Sequence, residues 1–179
     1  DATLSREEIV ANAKQDIAWR YALRELNPFV ITGESLYAKH NTDGSLELYN
    51  EATDAGSMTE LYLQDRAAML TWKLRYDKEK KAYATQYSTN EINGNWDFVD
   101  IASNTTLAID GVGLSLYDHQ IVFGSANNDT INGSGDDDHL YGMAGNDLLD
   151  GGMGDDYIEG GLGQDTLTGG SGKDLLLGG

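Results

Sequence analysis

The chain of 179 residues has no cysteine and a single proline, and it is short of bases: 12 Lys and Arg stand against 30 Asp and Glu, a net charge of −18. Without cysteine there can be no disulfide and no thiolate metal site. Bound metal is the usual substitute staple for a small core in a secreted protein. A chain this acidic is repelled by nucleic acid and by anionic membrane surfaces, which argues against both as partners on electrostatic grounds. No apolar run is long enough to span a bilayer, and with no methionine and no apolar h-region after Asp1 no Sec signal is expected in this stretch.

Catalytic signatures are missing as well. The nearest approach to a G-x-S-x-G elbow, Gly33-Glu34-Ser35-Leu36-Tyr37, lacks the final glycine. No H-E-x-x-H zinc helix occurs. His40, His119 and His139 fall in a hairpin, a turn region and a repeat, and no Ser/His/Asp order joins them. The chain therefore reads as non-catalytic.

What is abundant is glycine, and it is phased. From Gly124 to Gly179 the chain repeats every nine residues, with aspartate at position six: Asp129, Asp138, Asp147, Asp156, Asp165 and Asp174. Position eight is always aliphatic: Ile131, Leu140, Leu149, Ile158, Leu167 and Leu176. Six Gly-rich residues ending in a carboxylate favour a turn with positive φ and inward carbonyls. The three that follow, x-aliphatic-x, make a short strand whose middle side chain faces in. Two nonapeptides then form one turn of a right-handed coil, so loops of alternate copies stack. That pairs Asp129 with Asp147 and Asp147 with Asp165 on one edge, and Asp138 with Asp156 and Asp156 with Asp174 on the other.

Oxygen donors with no His or Cys in register select a hard divalent cation. Calcium fits better than magnesium, which demands a strict octahedron. Candidate ligands are the six aspartates together with backbone groups of the loops at Asn127, Asp136, Gly142, Ala144, Gly145, Gly151, Gly154, Gly160 and Gly163. Asn127 and Asp136 stand at position four, where later copies carry glycine, which predicts weaker or distorted first sites. Eleven acids against Lys173 give this segment a net of −10, so without a cation its thin core is driven apart.

Upstream, Ser5 and Glu8 form a capping box opening a helix that the Ile9, Ala13, Ile17, Tyr21 stripe carries to Asn27-Pro28. Trp19 and Tyr21 are read as core. A strand is expected at 29–31, then a hairpin of 36–38 and 46–49 around the turn Asn41-Thr42-Asp43-Gly44. An EF-hand reading of that turn fails, since Lys39 and Asn50 would occupy its first and twelfth ligand positions. A second helix over 58–76 starts from a Ser57–Glu60 capping box, with apolar Leu61, Ala68, Trp72 and Leu74 and the basic run Lys78, Lys80, Lys81 at its end. Strands follow at 83–87, 96–99, 106–109 and 120–123, with turns at Asn93-Gly94 and Asp110-Gly111. Asp97 and Asp100 around Val99 suggest a half-exposed strand.

The nonapeptide array resembles the RTX family of secreted bacterial proteins, which leave the cell by type I secretion and fold outside on meeting calcium. Leu23–Phe29, Asp65–Leu70, Trp96–Asp100 and Leu107–Gly111 resemble a segment of RTX exoproteins that joins a lipase-like hydrolase to its repeats. The resemblance implies an α+β capping domain over 1–123 and a parallel β-roll over 124–179. It also implies a secreted, monomeric calcium-binding module exported by type I machinery as part of a larger protein. A calcium-stiffened segment of a large adhesin is the alternative. The family's C-terminal secretion signal is missing, and with no start methionine and an end inside a repeat the chain is expected to be part of a longer one.

Overall fold

The computed structural model describes residues 4–32, 34–79, 97–107 and 119–179. The chain divides into two compact units, Asp1–Lys78 and Glu79–Gly179. The first is helical, with α1 (Arg6–Gln15), α2 (Ile17–Arg24), α3 (Glu34–Tyr37) and α4 (Glu60–Glu79).

The capping box of α1 forms as expected, with Ser5 Oγ accepting from the Glu8 N–H and Glu8 Oε2 accepting from the Ser5 N–H. The single helix expected to Pro28 is broken at Asp16. Its backbone turns extended (φ −133), and its carboxylate accepts the Ala18 N–H at 2.8 Å, so Asp16 becomes the N-cap of α2. Aspartate offers the chain this local alternative to helix, and the apolar stripe does not reveal it. Trp19 and Tyr21 are half-buried rather than core.

The turn ending at Gly44 forms, but its hairpin does not. Residues 36–38 are helical, with Tyr37 and His40 packed on the Tyr21 ring at 5.0 and 4.9 Å. The partner of 48–50 is instead the segment 55–58, through bridges Leu48–Met58 and Asn50–Ala55. Residues 29–31 form no strand, and Phe29 and Ile31 are exposed. Helix α4 is capped two residues later than expected: Thr59 Oγ1 accepts the Tyr62 N–H at 3.1 Å. It is buried on more than one stripe, including Tyr62, Leu63, Ala67, Met69 and Leu70 besides Ala68 and Trp72, while Leu61 and Leu74 are half-buried.

The second unit is β. The described strands are β1 (Asp97–Asp100), β2 (Thr105–Leu107), β3 (Gln120–Phe123), β4 (Thr130–Ser134), β5 (His139–Tyr141), β6 (Leu148–Met153), β7 (Tyr157–Glu159), β8 (Thr166–Ser171) and β9 (Leu175–Leu177). The expected strand at 83–87, the turns at 93–94 and 110–111, and Lys80 and Lys81 lie outside the described residues. Strands of alternate nonapeptides pair in parallel, as β5-β7-β9 and β4-β6-β8; β3 and β1 extend the first sheet in parallel and β2 closes it antiparallel to β1, giving the order β2-β1-β3-β5-β7-β9. This is a parallel β-solenoid, as the nine-residue phase predicts.

Between the sheets runs a ladder of position-eight side chains. Leu140, Leu149, Ile158 and Ile131 are buried with Val122, and Val99 and Leu167 pack against them. Each full burial contributes about 1.5–3 kcal/mol. The ladder continues upstream of the first glycine, because Val99 pairs with Val122 and Val122 with Leu140. β3 is buried at every residue, as suits a parallel strand covered on both faces. Strand β1 corrects the half-exposed expectation, since Asp97 and Asp100 are both buried.

Candidate metal centre

The position-six aspartates follow the pairing that the sequence predicts, and the pairing is made by hydrogen bonds. The Asp129 N–H donates to Asp147 Oδ1 at 2.8 Å, and the Asp147 N–H to Asp165 Oδ1 at 2.9 Å. On the other edge the Asp138 N–H donates to Asp156 Oδ1 at 2.9 Å, and the Asp156 N–H to Asp174 Oδ1 at 3.1 Å. One oxygen of each acceptor carboxylate thus holds the coil before it.

The second oxygen is left over. Oδ2 of Asp138, Asp147, Asp156 and Asp165 is buried without a hydrogen-bond partner. A buried carboxylate oxygen in that condition is costly unless a cation meets it. What it faces is set by the position-one glycine. A Cβ placed on Gly133 would lie 2.2 Å from Asp138 Oδ2 and 2.6 Å from the Gly151 carbonyl oxygen. The same point on Gly142 meets Asp147 Oδ2 and the Gly160 oxygen, on Gly151 Asp156 Oδ2 and the Gly169 oxygen, and on Gly160 Asp165 Oδ2 and the Gly178 oxygen. Each cradle brings one carboxylate oxygen against a carbonyl of the next coil, in a space that only glycine leaves open.

Loop conformation follows the same phase. Positions two and four are left-handed from the second copy on: Ser134 (φ 85), Met143 (φ 76) and Asp136 (φ 61) adopt it without being glycine. The first copy departs. Neither Ser125 nor Asn127 is left-handed, and Asp129 Oδ2 accepts from the Ser125 N–H at 2.6 Å and from Ser125 Oγ–H at 2.9 Å. The position-four carbonyls of Asn127, Asp136 and Gly145 each stack beneath the Cα of Gly145, Gly154 and Gly163 respectively. Ala144 sits in a parallel bridge to Leu162.

Two features of the loops escaped the sequence reading. The carbonyls of Gly169 and Gly178 occupy the same place as those of Gly151 and Gly160. Position five also forms a ladder: Asn128, Asp137, Asn146 and Asp155 accept through Oδ1 from the backbone N–H of residues 146, 155, 164 and 173 at 2.7–2.9 Å. Four Asx residues in succession at one phase are the signal that would have found it.

Burial dominates the electrostatics. Removal from water pushes the Asp138 carboxyl up to about 7, helped by the charges of Asp156, Asp136 and Asp137 and opposed by the hydrogen bond from the Gln120 N–H. Burial likewise raises Asp147, beside Asp165 and Asp129, and Asp156, beside Asp174, Asp137 and Asp155. Among the described residues no three acidic or imidazole side chains gather into a metal cluster. Each cradle offers a single carboxylate, with the remaining donors from backbone carbonyls. That all-oxygen set of irregular geometry suits calcium.

The family model of the RTX calcium-binding nonapeptide repeat, in 4 copies, matches residues 123–158 and 150–179. Residues 123–179 belong to the RTX calcium-binding repeats. The match covers about a third of the chain. No curated protein and no solved structure matches it. RTX repeats bind calcium and occur in secreted bacterial proteins, and no helix among the described residues is long and apolar enough to cross a membrane.

A consequence for pH follows from the raised carboxyls. A carboxyl whose folded pKa lies above its unfolded value holds its proton more tightly when folded, so stability falls as pH rises through that window. In chelator the RTX coils should therefore gain order as pH drops from above to below about 7. In calcium the dependence should reverse, because protons compete with the cation for the same oxygens. Far-UV circular dichroism against pH, with and without calcium, checks both signs.

Proposed function

We propose that this chain is a non-catalytic module whose RTX coils fold on binding calcium outside the cell. The observation that carries the reading is the set of four buried Oδ2 atoms, on Asp138, Asp147, Asp156 and Asp165, each held against a carbonyl of the next coil. Those oxygens, with the Gly151, Gly160, Gly169 and Gly178 carbonyls, are the ligands we assign. A bound divalent cation would supply the neutralising charge that the −10 of this segment needs. With extracellular-type affinities, an excess of about tenfold over Kd contributes about 1.4 kcal/mol per site. Several sites in series then act together, since each coil rests only on its neighbours.

This reading accounts for export. Where calcium is scarce the coils stay open, the state that passage through a type I channel requires, and they close outside. The front segments that resemble lipase-bearing RTX exoproteins support a secreted hydrolase as the larger protein served.

A calcium titration followed by far-UV circular dichroism, with magnesium as control, tests the switch. We expect a cooperative gain of β signal with calcium alone, over a helical signal already present in chelator from the first unit. Full β signal in chelator would overturn the reading.

A further inference from the structure

The nine-residue ladder does not begin at a calcium-type aspartate. In the register of the six-stranded sheet the residue two places ahead of the aliphatic Val122 is Gln120, which pairs upstream with Asp97 and, through its N–H, donates to Asp138 Oδ1 at 2.7 Å. That bond repeats the Asp138-to-Asp156 and Asp156-to-Asp174 bonds. Gln120 therefore holds the position-six place of a coil without being an aspartate.

Its side chain shows what the exchange does. Gln120 Nε2 donates to the Gly133 carbonyl oxygen at 3.0 Å, in a buried bond. Gly133 stands one coil before Gly151 and two before Gly169. In those later coils the corresponding carbonyls face Asp138 Oδ2 and Asp156 Oδ2, two acceptors that cannot bond to each other. A cation standing between such a pair satisfies both. At the first rung the amide N–H bridges the gap directly. On the other edge Asp129 Oδ2 is taken within its own loop by the Ser125 N–H and hydroxyl, with no bond across to the next coil.

We propose that Gln120 is a built-in replacement for calcium that closes the first rung of its edge, so that β3, paired with β1 and tied to Gly133, forms a metal-independent seed and calcium dependence begins at Asp138 and Asp147. This rests on the calcium reading above and deepens it. A one-dimensional array pays its ordering cost at nucleation, and a first rung completed by its own side chains lets each ion that follows bind on a surface already in place. It also keeps the seed small enough to leave the array open where calcium is scarce.

Amide hydrogen exchange read by mass spectrometry on the whole chain tests this. In chelator, peptides covering β3 (120–123), which pairs with β1, should be protected while those within 148–177 exchange freely, and calcium should protect the latter. Gln120→Glu keeps the shape but sets a carboxylate oxygen against the Gly133 carbonyl. It should speed exchange of 120–123 in chelator by about tenfold or more, and calcium should restore protection, because the rung has become one of the calcium type. Gln120→Ala should show the loss in chelator without the rescue. If 120–123 needs calcium as much as 148–177 does, or if Gln120→Glu leaves exchange unchanged, the seed is refuted while the calcium reading stands. If calcium alters exchange nowhere in 148–177, both fail.

Discussion

Replacing Asp156 by alanine is expected to raise the calcium midpoint of the β transition by about tenfold, whereas Asp174→Ala shifts it by no more than about twofold. The two residues hold the same phase on the same edge, so sequence alone ranks them only by the number of neighbours. The structure gives the difference a physical basis. Asp156 is 2 % exposed, its Oδ1 holds the Asp138 N–H, and its Oδ2 is buried without a partner against the Gly169 carbonyl. The truncation removes a proposed ligand and also strands a buried backbone donor, a loss of about 1–3 kcal/mol. Asp174 accepts from the Asp156 N–H but is only half-buried, so water can take its place.

The effect of Asp156→Ala should shrink in chelator. Burial raises this carboxyl, with Asp174, Asp137 and Asp155 adding to it, which means that its charge costs stability when nothing neutralises it. Removing the carboxylate removes that cost and offsets part of the lost hydrogen bond. A double titration, calcium against each variant with circular dichroism as readout, separates the cases. Equal shifts for the two variants would count against a ligand role for Asp156 and leave only its part in the backbone ladder.

The solenoid was legible because its signals are redundant. Aspartate at six and an aliphatic at eight recur six times, and a period of nine with two copies per coil fixes which residues meet. The Asp129–Asp147–Asp165 and Asp138–Asp156–Asp174 edges follow from that arithmetic. Strand length did not, since β4, β6 and β8 run on into the glycines of the next copy while β5, β7 and β9 stop at three residues. The helical unit was harder to read because its decisive groups act singly. Asp16 and Thr59 each end or begin a helix by one hydrogen bond, and neither changes the apolar pattern around it. Gln120 was invisible for another reason: it breaks the aspartate phase, and only its bonds to Asp138 Oδ1 and to the Gly133 carbonyl show that it fills the same place.

The position-one glycines allow the site to be tested without touching any charge. Gly151 has no left-handed backbone, so alanine there brings no torsional strain, and its only consequence is the methyl group. That methyl would lie 2.1 Å from Asp156 Oδ2 and 2.7 Å from the Gly169 oxygen. Both contacts are far inside van der Waals separation, and one is backbone, so the coil must part or the carboxylate must leave the cradle. Gly151→Ala should cost about 1–3 kcal/mol from overpacking and should weaken calcium-dependent order as much as Asp156→Ala does. Gly178→Ala meets nothing within 4 Å and should behave as wild type. Isothermal titration with calcium supplies a second readout, one filled site fewer for Gly151→Ala and none lost for Gly178→Ala. A Gly151→Ala chain that binds the full complement of calcium would mean that the ion is held elsewhere in the loop and that the orphaned Oδ2 atoms are not its ligands.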